Sequence, residues 1–201
     1  MNLCLRTLLP AAFAGPALLL LCGCGGGASA PSGPSAPAAT YATVLTYTNP
    51  PLGGYSLQAE PASNGTAHLV LDLVGPAGTA SQGVSFFLTA NPAMVSWSQG
   101  SGSAYATPGS VFNLGAAPQA FITQVSASGN LQVGLFQKSG TATYGSAPLV
   151  SVALDLLPGA VVPGAVVGLA PTSGQFAVYV DNSGAVQPFP APIAVGTLMA
   201  R

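Results

Sequence analysis

Large apolar residues recur at every second position in one stretch of this chain after another. A period of two is the spacing of a strand with one buried face. From His68 to Leu73, the side chains of Leu69, Leu71 and Leu73 fall on one face, with His68, Val70 and Asp72 on the other. Val84, Phe86 and Leu88 alternate with Ser85, Phe87 and Thr89, and Leu131, Val133 and Leu135 with Gln132, Gly134 and Phe136. Val150, Val152, Leu154 and Leu156 are expected inward, against Ser151, Ala153 and Asp155 outward. Nearer the C-terminus, the same reading puts Phe176, Val178 and Val180 inward. Turn signals separate these runs: Asn64-Gly65, Ser128-Gly129-Asn130, Pro158-Gly159 and Asp181-Asn182-Ser183-Gly184. No stretch of helix length carries caps and a helical stripe, so the pattern predicts an antiparallel β-sandwich.

The front of the chain follows different rules. All three cysteines, Cys4, Cys22 and Cys24, lie there. One basic residue, Arg6, precedes the apolar run from Leu8 to Leu21, which ends in small residues. That order is expected of a secretory signal peptide. A bilayer span needs roughly 20 apolar residues, and Pro10 and Pro16 interrupt this shorter run. Leu21-Cys22-Gly23-Cys24 resembles the lipobox of bacterial lipoproteins. The resemblance implies a signal peptide over 1–23 and lipidation of Cys24, whose thiolate takes a diacylglyceryl group before an N-acyl chain is added. More than one acyl chain gives stable anchoring in the bilayer. Gly25 replaces the aspartate that would mark inner-membrane retention in enteric bacteria, which points to a cell-envelope protein of the outer membrane. On this reading the mature chain holds no free thiol and no disulfide.

Residues 24–40 comprise the lipidated cysteine and a Gly/Ser/Pro/Ala stretch free of charge and of large apolar side chains. That is linker composition, with a reach of roughly 20–24 Å. Residues 41–201 are the size of one domain. Removing Arg6 leaves Lys138 and Arg201 against Glu60, Asp72, Asp155 and Asp181. So few cations exclude binding to nucleic acid through its phosphates, and so few charges exclude electrostatic steering of ligands. Disorder is excluded by the apolar content of 49%.

Within the domain, residues 83–97 (GVSFFLTANPAMVSW) resemble the cohesin segment in which a strand ends at Asp-Pro before the next begins, with Asn91-Pro92 at that point. Residues 129–136, 145–156 and 165–169 resemble the later cohesin strands in order and spacing. The resemblance covers roughly residues 66–170 and implies an all-β, antiparallel jelly-roll β-sandwich, shared with neighbouring carbohydrate-binding modules. About 8–10 strands are expected.

The chemistry-bearing residues are few. His68 is the only histidine, and Asp72 on the same strand face is about 13 Å away along the strand, so a histidine site would need a partner from another strand. Asp72 and Asp155 sit in like Leu-Asp-Leu triplets as outward residues, and Asp181 opens a turn. That turn could supply oxygen ligands to calcium, but one carboxylate is too few for strong binding. No phosphate-binding loop, nucleophile elbow or HExxH pattern occurs. No catalytic residue, metal or cofactor is therefore assigned.

Aromatics remain as candidate ligand contacts: Tyr105 and Tyr144 in Gly/Ser-rich loops, expected exposed, and Trp97, whose parity with Val95 favours the core. The expected function is non-catalytic protein–protein binding or envelope assembly with an unknown envelope or surface protein. A carbohydrate-binding module with a polysaccharide ligand is the alternative, and a hydrolase built on His68 or converging acids is the remaining class. Cys24→Ser is expected to leave the protein soluble and uncleaved by the lipoprotein signal peptidase. Metabolic labelling with an acyl probe checks this, and label persisting in the membrane fraction of that variant would contradict the lipobox.

Overall fold

The structure is a computed structural model that describes residues 38–114, 120–137 and 139–201. The expected signal peptide, the lipobox residues Leu21, Cys22, Gly23 and Cys24, and all but the end of the expected linker lie outside the described residues. Ala39–Arg201 forms one compact unit.

Four long runs of alternation become four seven-residue strands: β3 (His68–Val74), β5 (Gly83–Thr89), β9 (Asn130–Phe136) and β11 (Val150–Leu156). Around them lie β1 (Leu45–Thr48), β2 (Ser56–Ala59), β4 (Ala80–Ser81), β6 (Val95–Trp97), β7 (Ala106–Pro108), β8 (Ala120–Val125) and β10 (Ala142–Thr143). The C-terminal part adds β12 (Val166–Val167), β13 (Ala170–Pro171), β14 (Val178–Val180), β15 (Val186–Pro188) and β16 (Thr197–Ala200). The helical element among the described residues is one 3-10 turn, Ser101–Ser103.

Two antiparallel sheets face each other in a jelly-roll sandwich. One is ordered β2-β3-β11-β6, with β7 also paired to β11; the other is β15-β14-β5-β9-β8, with β13 also paired to β5. A smaller sheet, β1-β16-β12, and the β10-β4 pair complete the fold. Residues directly opposite across a ladder share a face. In the β5–β9 ladder Phe86 faces Val133 and Leu88 faces Leu131, and all four are fully buried. On the other sheet Leu154 faces Leu69 and Val152 faces Leu71, again with their side chains in the core.

The described residues form sixteen strand segments where 8–10 strands were expected. The excess arises because strand lines are interrupted. β6 and β7 pair with successive parts of β11, β13 and β14 with successive parts of β5, and β4 and β10 form a pair separate from the β5–β9 ladder.

The phase expected near the C-terminus is also corrected. Phe176 is 79% exposed rather than inward. Val178 faces Ser85 and Val180 faces Gly83, which places Tyr179 opposite the fully buried Val84. Both phases of this strand are apolar, and the inward place goes to the tyrosine because it joins an aromatic cluster. Tyr179 lies 6.5 Å from the rings of Tyr55 and Phe189, which stack on each other at 3.4 Å.

Polar side chains also tie the elements to one another. Trp97 of β6 donates from Nε1 to the Gly129 carbonyl at 2.8 Å, in the turn between β8 and β9 of the facing sheet. Gly129 has φ +79°, and a Cβ there would strike the Ala90 carbonyl, so glycine is required on both counts. Near the chain ends, the Tyr47 hydroxyl accepts from the Gly196 amide at 2.6 Å and donates to the Leu57 carbonyl at 3.3 Å. Phe86→Ala should cost about 3–5 kcal/mol in urea unfolding, as for a fully buried ring. Phe176→Ala should change stability by no more than about 0.5 kcal/mol; comparable losses for the two would overturn this assignment of inside and outside.

Candidate functional site

Of the three aromatics nominated from sequence, two are in the core. Trp97 is 6% exposed and Tyr144 is 3% exposed. Tyr144, expected to be exposed, is drawn inward because the preceding Ala142 and Thr143 pair with Ser81 and Ala80. Its hydroxyl then meets Ser81 Oγ at 2.6 Å, and its ring meets Tyr55 and Phe112 edge-on at 6.0 Å. Burial raises the Tyr144 phenol above its ordinary value and pushes Tyr55 up further, with the Tyr144 hydroxyl adding to the effect there. These are neutral packing groups. Tyr105 is half-buried, so the three rings form no exposed planar strip.

The ionisable residues separate into pairs and turns. His68 finds the cross-strand partner it needed in Asp155, directly opposite on β11, with Nδ1 and Oδ1 2.6 Å apart on the outer face of the five-stranded sheet. Asp72, on the same face, accepts from Ser151 Oγ at 2.6 Å. Ser151 and Asp155 are four residues apart on one strand, so the two carboxylates stand about 13 Å apart along it, wider than a glycosidase pair requires. Asp181 is committed to its own turn: Oδ1 accepts from the Ser183 amide and hydroxyl and the Ala185 amide, and Oδ2 from Gln187. Hydrogen bonds from Ser183 and then Gln187 hold its carboxyl down at about 2. Among the described residues no cluster of three metal-ligating side chains occurs. The Asn64 side chain likewise serves the fold, accepting from the Tyr47 amide and donating to the Tyr47 carbonyl, each at 2.9 Å.

The surface that stands out is the outer face of the six-stranded sheet. Register places Phe136 beside Gly83, Gly134 between Ser85 and Ile122, and Gln132 between Phe87 and Gln124. Ile122 is 46% exposed, Val186 65% and Phe176 79%, while Phe87 and Phe136 are half-buried. The described residues that these strands turn outward carry no charge. Phe87 stands between two hollows. One, about 410 Å³, is walled by Phe176, Pro171, Pro188 and Phe189; the other, about 320 Å³, is walled by Gln124, Asn130 and Gln132. An apolar ridge between an apolar and an amide-lined hollow can seat a side chain of a partner and fix it by hydrogen bonds. This face was not nominated from sequence, although the alternation had already put Phe87 and Phe136 outward, where apolar side chains are uneconomical on a simple solvated face.

No family model matches the chain, and no curated protein matches it. Solved cohesin structures are similar in fold. The cohesin of the Coh-OlpC-Doc435 complex, a type I cohesin–dockerin complex from Clostridium thermocellum, superposes with a TM-score of 0.50 at 9% identity, covering 81% of this chain and 97% of that one. The sixth cohesin of scaffoldin B from Acetivibrio cellulolyticus gives 0.48 at 14% identity, over 77% of this chain and 97% of that one. A non-cellulosomal cohesin from the archaeon Archaeoglobus fulgidus gives 0.42 at 12%, over 77% and 89%. The OlpC likeness is one of fold: this chain has a cohesin-like β-sandwich.

The Asp181 hydrogen bonds carry a pH consequence. The carboxyl is depressed on folding, so its contribution is complete above the ordinary carboxylate value of 3.8 and is lost as pH falls through about 2. Carboxyl titration by NMR should give a midpoint near 2 that rises towards 3.8 in Ser183→Ala. An unshifted midpoint in the parent protein would contradict the turn geometry.

Proposed function

We propose that this chain is a bacterial envelope lipoprotein whose β-sandwich is a non-catalytic protein-interaction module, binding through the outer face of the six-stranded sheet. The observation that carries the reading is that uncharged face, with Phe87 set between two hollows and Ile122 and Phe176 open to solvent. The fold likeness to a cohesin crystallised in complex with a dockerin supports a protein as the partner. The partner is an envelope or surface protein, recognised by shape and neutral hydrogen bonds because the described residues of this face carry no charge. Lipid on Cys24 holds the domain at the outer membrane, and the linker sets its distance from the lipid.

The dispersal of the carboxylates and the commitment of Asp181 to its turn support a role without catalysis. The test is capture from an envelope extract by the immobilised full chain, read by mass spectrometry, beside Phe87→Asp and Ile122→Asp. One protein should be enriched, displaced by free chain, and reduced at least tenfold by either variant. Val70→Asp, on the opposite sheet, should leave capture intact. Undiminished capture by both six-stranded-sheet variants, or loss only with Val70→Asp, would overturn the assignment of this face.

A further inference from the structure

The five-stranded sheet has a polar groove on its outer face that the protein-binding reading does not use. It arises where the line formed by β6 and β7 is interrupted: between Trp97 and Ala106 the chain leaves the sheet through the 3-10 turn Ser101–Ser103. Ser103 there has φ +66°, a left-handed conformation unusual for a residue with a side chain. The excursion makes one wall of a groove of about 330 Å³; Val70, Ser151 and Ala153 contribute to the floor, and His68 lines it too. Tyr105, at the return of the excursion, lines this groove and also a neighbouring cleft of about 210 Å³ beside Trp97 and Pro92. The half-buried ring is thus wetted from two clefts and held by packing against the core.

The polar groups of the groove are set for a neutral ligand. His68 lines the groove, and with Nδ1 engaged by Asp155 its Nε2 is the ring nitrogen left to accept a hydrogen bond while the imidazole is neutral. Asp155 holds the ring through Oδ1 and does not itself line the groove. The hydroxyls of Ser98 and Thr107, also in the groove, make none either and can donate or accept. Among the described residues that line the groove there is no lysine or arginine to draw a phosphate or other polyanion. The hydroxyl-bearing walls do not suit a purely apolar ligand.

A half-buried aromatic residue, an imidazole acceptor and free hydroxyls match a pyranose: C–H groups lie against the ring while ligand hydroxyls donate to Nε2 and pair with Ser98 and Thr107. We infer that this groove is a binding site for a neutral saccharide, with Tyr105 as the stacking surface, His68 as a ligand acceptor and Asp155 as the residue that positions the imidazole. The site lies on the sheet opposite the proposed protein-binding face, so the domain would join a glycan to a protein.

The experiment is isothermal titration of the full chain in detergent micelles with neutral hexasaccharides of glucose, xylose, mannose and N-acetylglucosamine. Emission of Trp97, which lines the adjoining cleft, is a second readout. At least one hexasaccharide should bind. Tyr105→Ala and His68→Ala should each weaken it tenfold or more, Tyr105→Phe should retain binding within about threefold, and Ile122→Asp on the far sheet should leave it unchanged. Urea midpoints guard against a folding defect, and Thr107→Val provides a milder variant expected to weaken binding severalfold. Failure of the whole panel to bind would overturn the inference. So would binding that persists unchanged in both Tyr105→Ala and His68→Ala. Neither result touches the protein-binding face, which is tested by capture through Phe87 and Ile122.

Discussion

The register between β5 and β9 is the constraint on which the rest of the six-stranded sheet depends. Seven consecutive pairs, from Gly83 opposite Phe136 to Thr89 opposite Asn130, bury Val84, Phe86 and Leu88 against Leu135, Val133 and Leu131. A slip of one residue would turn those side chains to water and drive Ser85 and Gln132 into the core. β8 is built on the far side of β9, and β13 and β14 on the far side of β5. Which residues of this sheet face solvent is therefore decided at the central ladder. Phe87, Ile122 and Phe136 are outside because Phe86 and Val133 are inside.

This also explains how a chain with so few charges can form an ordered domain. The core is sealed by paired apolar faces, and the polar part of the solvent faces is supplied mostly by Ser, Thr, Asn and Gln side chains, with His68, Asp72 and Asp155 beside them on the five-stranded sheet. Such side chains also serve the fold directly: Asn64 pairs with both backbone groups of Tyr47, and Gln137 donates to the Gly140 carbonyl at 2.6 Å. A neutral exterior has a second consequence. Recognition on either sheet must come from shape, aromatic surface and neutral hydrogen bonds, and those are the features found around Phe87 and around Tyr105.

What could be read from sequence follows the same physics. β3, β5, β9 and β11 were legible because large apolar side chains alternate there with mostly small or polar ones, leaving one sensible phase. β14 was not, because Phe176, Val178 and Val180 compete with Ala177 and Tyr179, and the choice is made by Tyr55 and Phe189, distant in sequence. Tyr144 looked exposed amid glycine and serine, and only its pairing through β10 and its bond to Ser81, 63 residues away, show otherwise. His68 was readable as a sheet-face residue, whereas its partner Asp155 is 87 residues on and is set by the register of β3 with β11. The Tyr105 groove depends on an interruption of a strand line, which alternation over so few residues does not reveal.

The described domain contains no cysteine, so single cysteines can report each face directly. The most direct test places Phe87→Cys, Ile122→Cys or Val70→Cys separately in a Cys24→Ser chain in which Cys4 and Cys22 are also replaced, and follows maleimide labelling with and without the captured partner. The account predicts labelling at all three positions in the free chain, and protection by the partner at 87 and 122 but not at 70. Protection at 70 alone, or slow labelling at 87 and 122 before any partner is added, would contradict it.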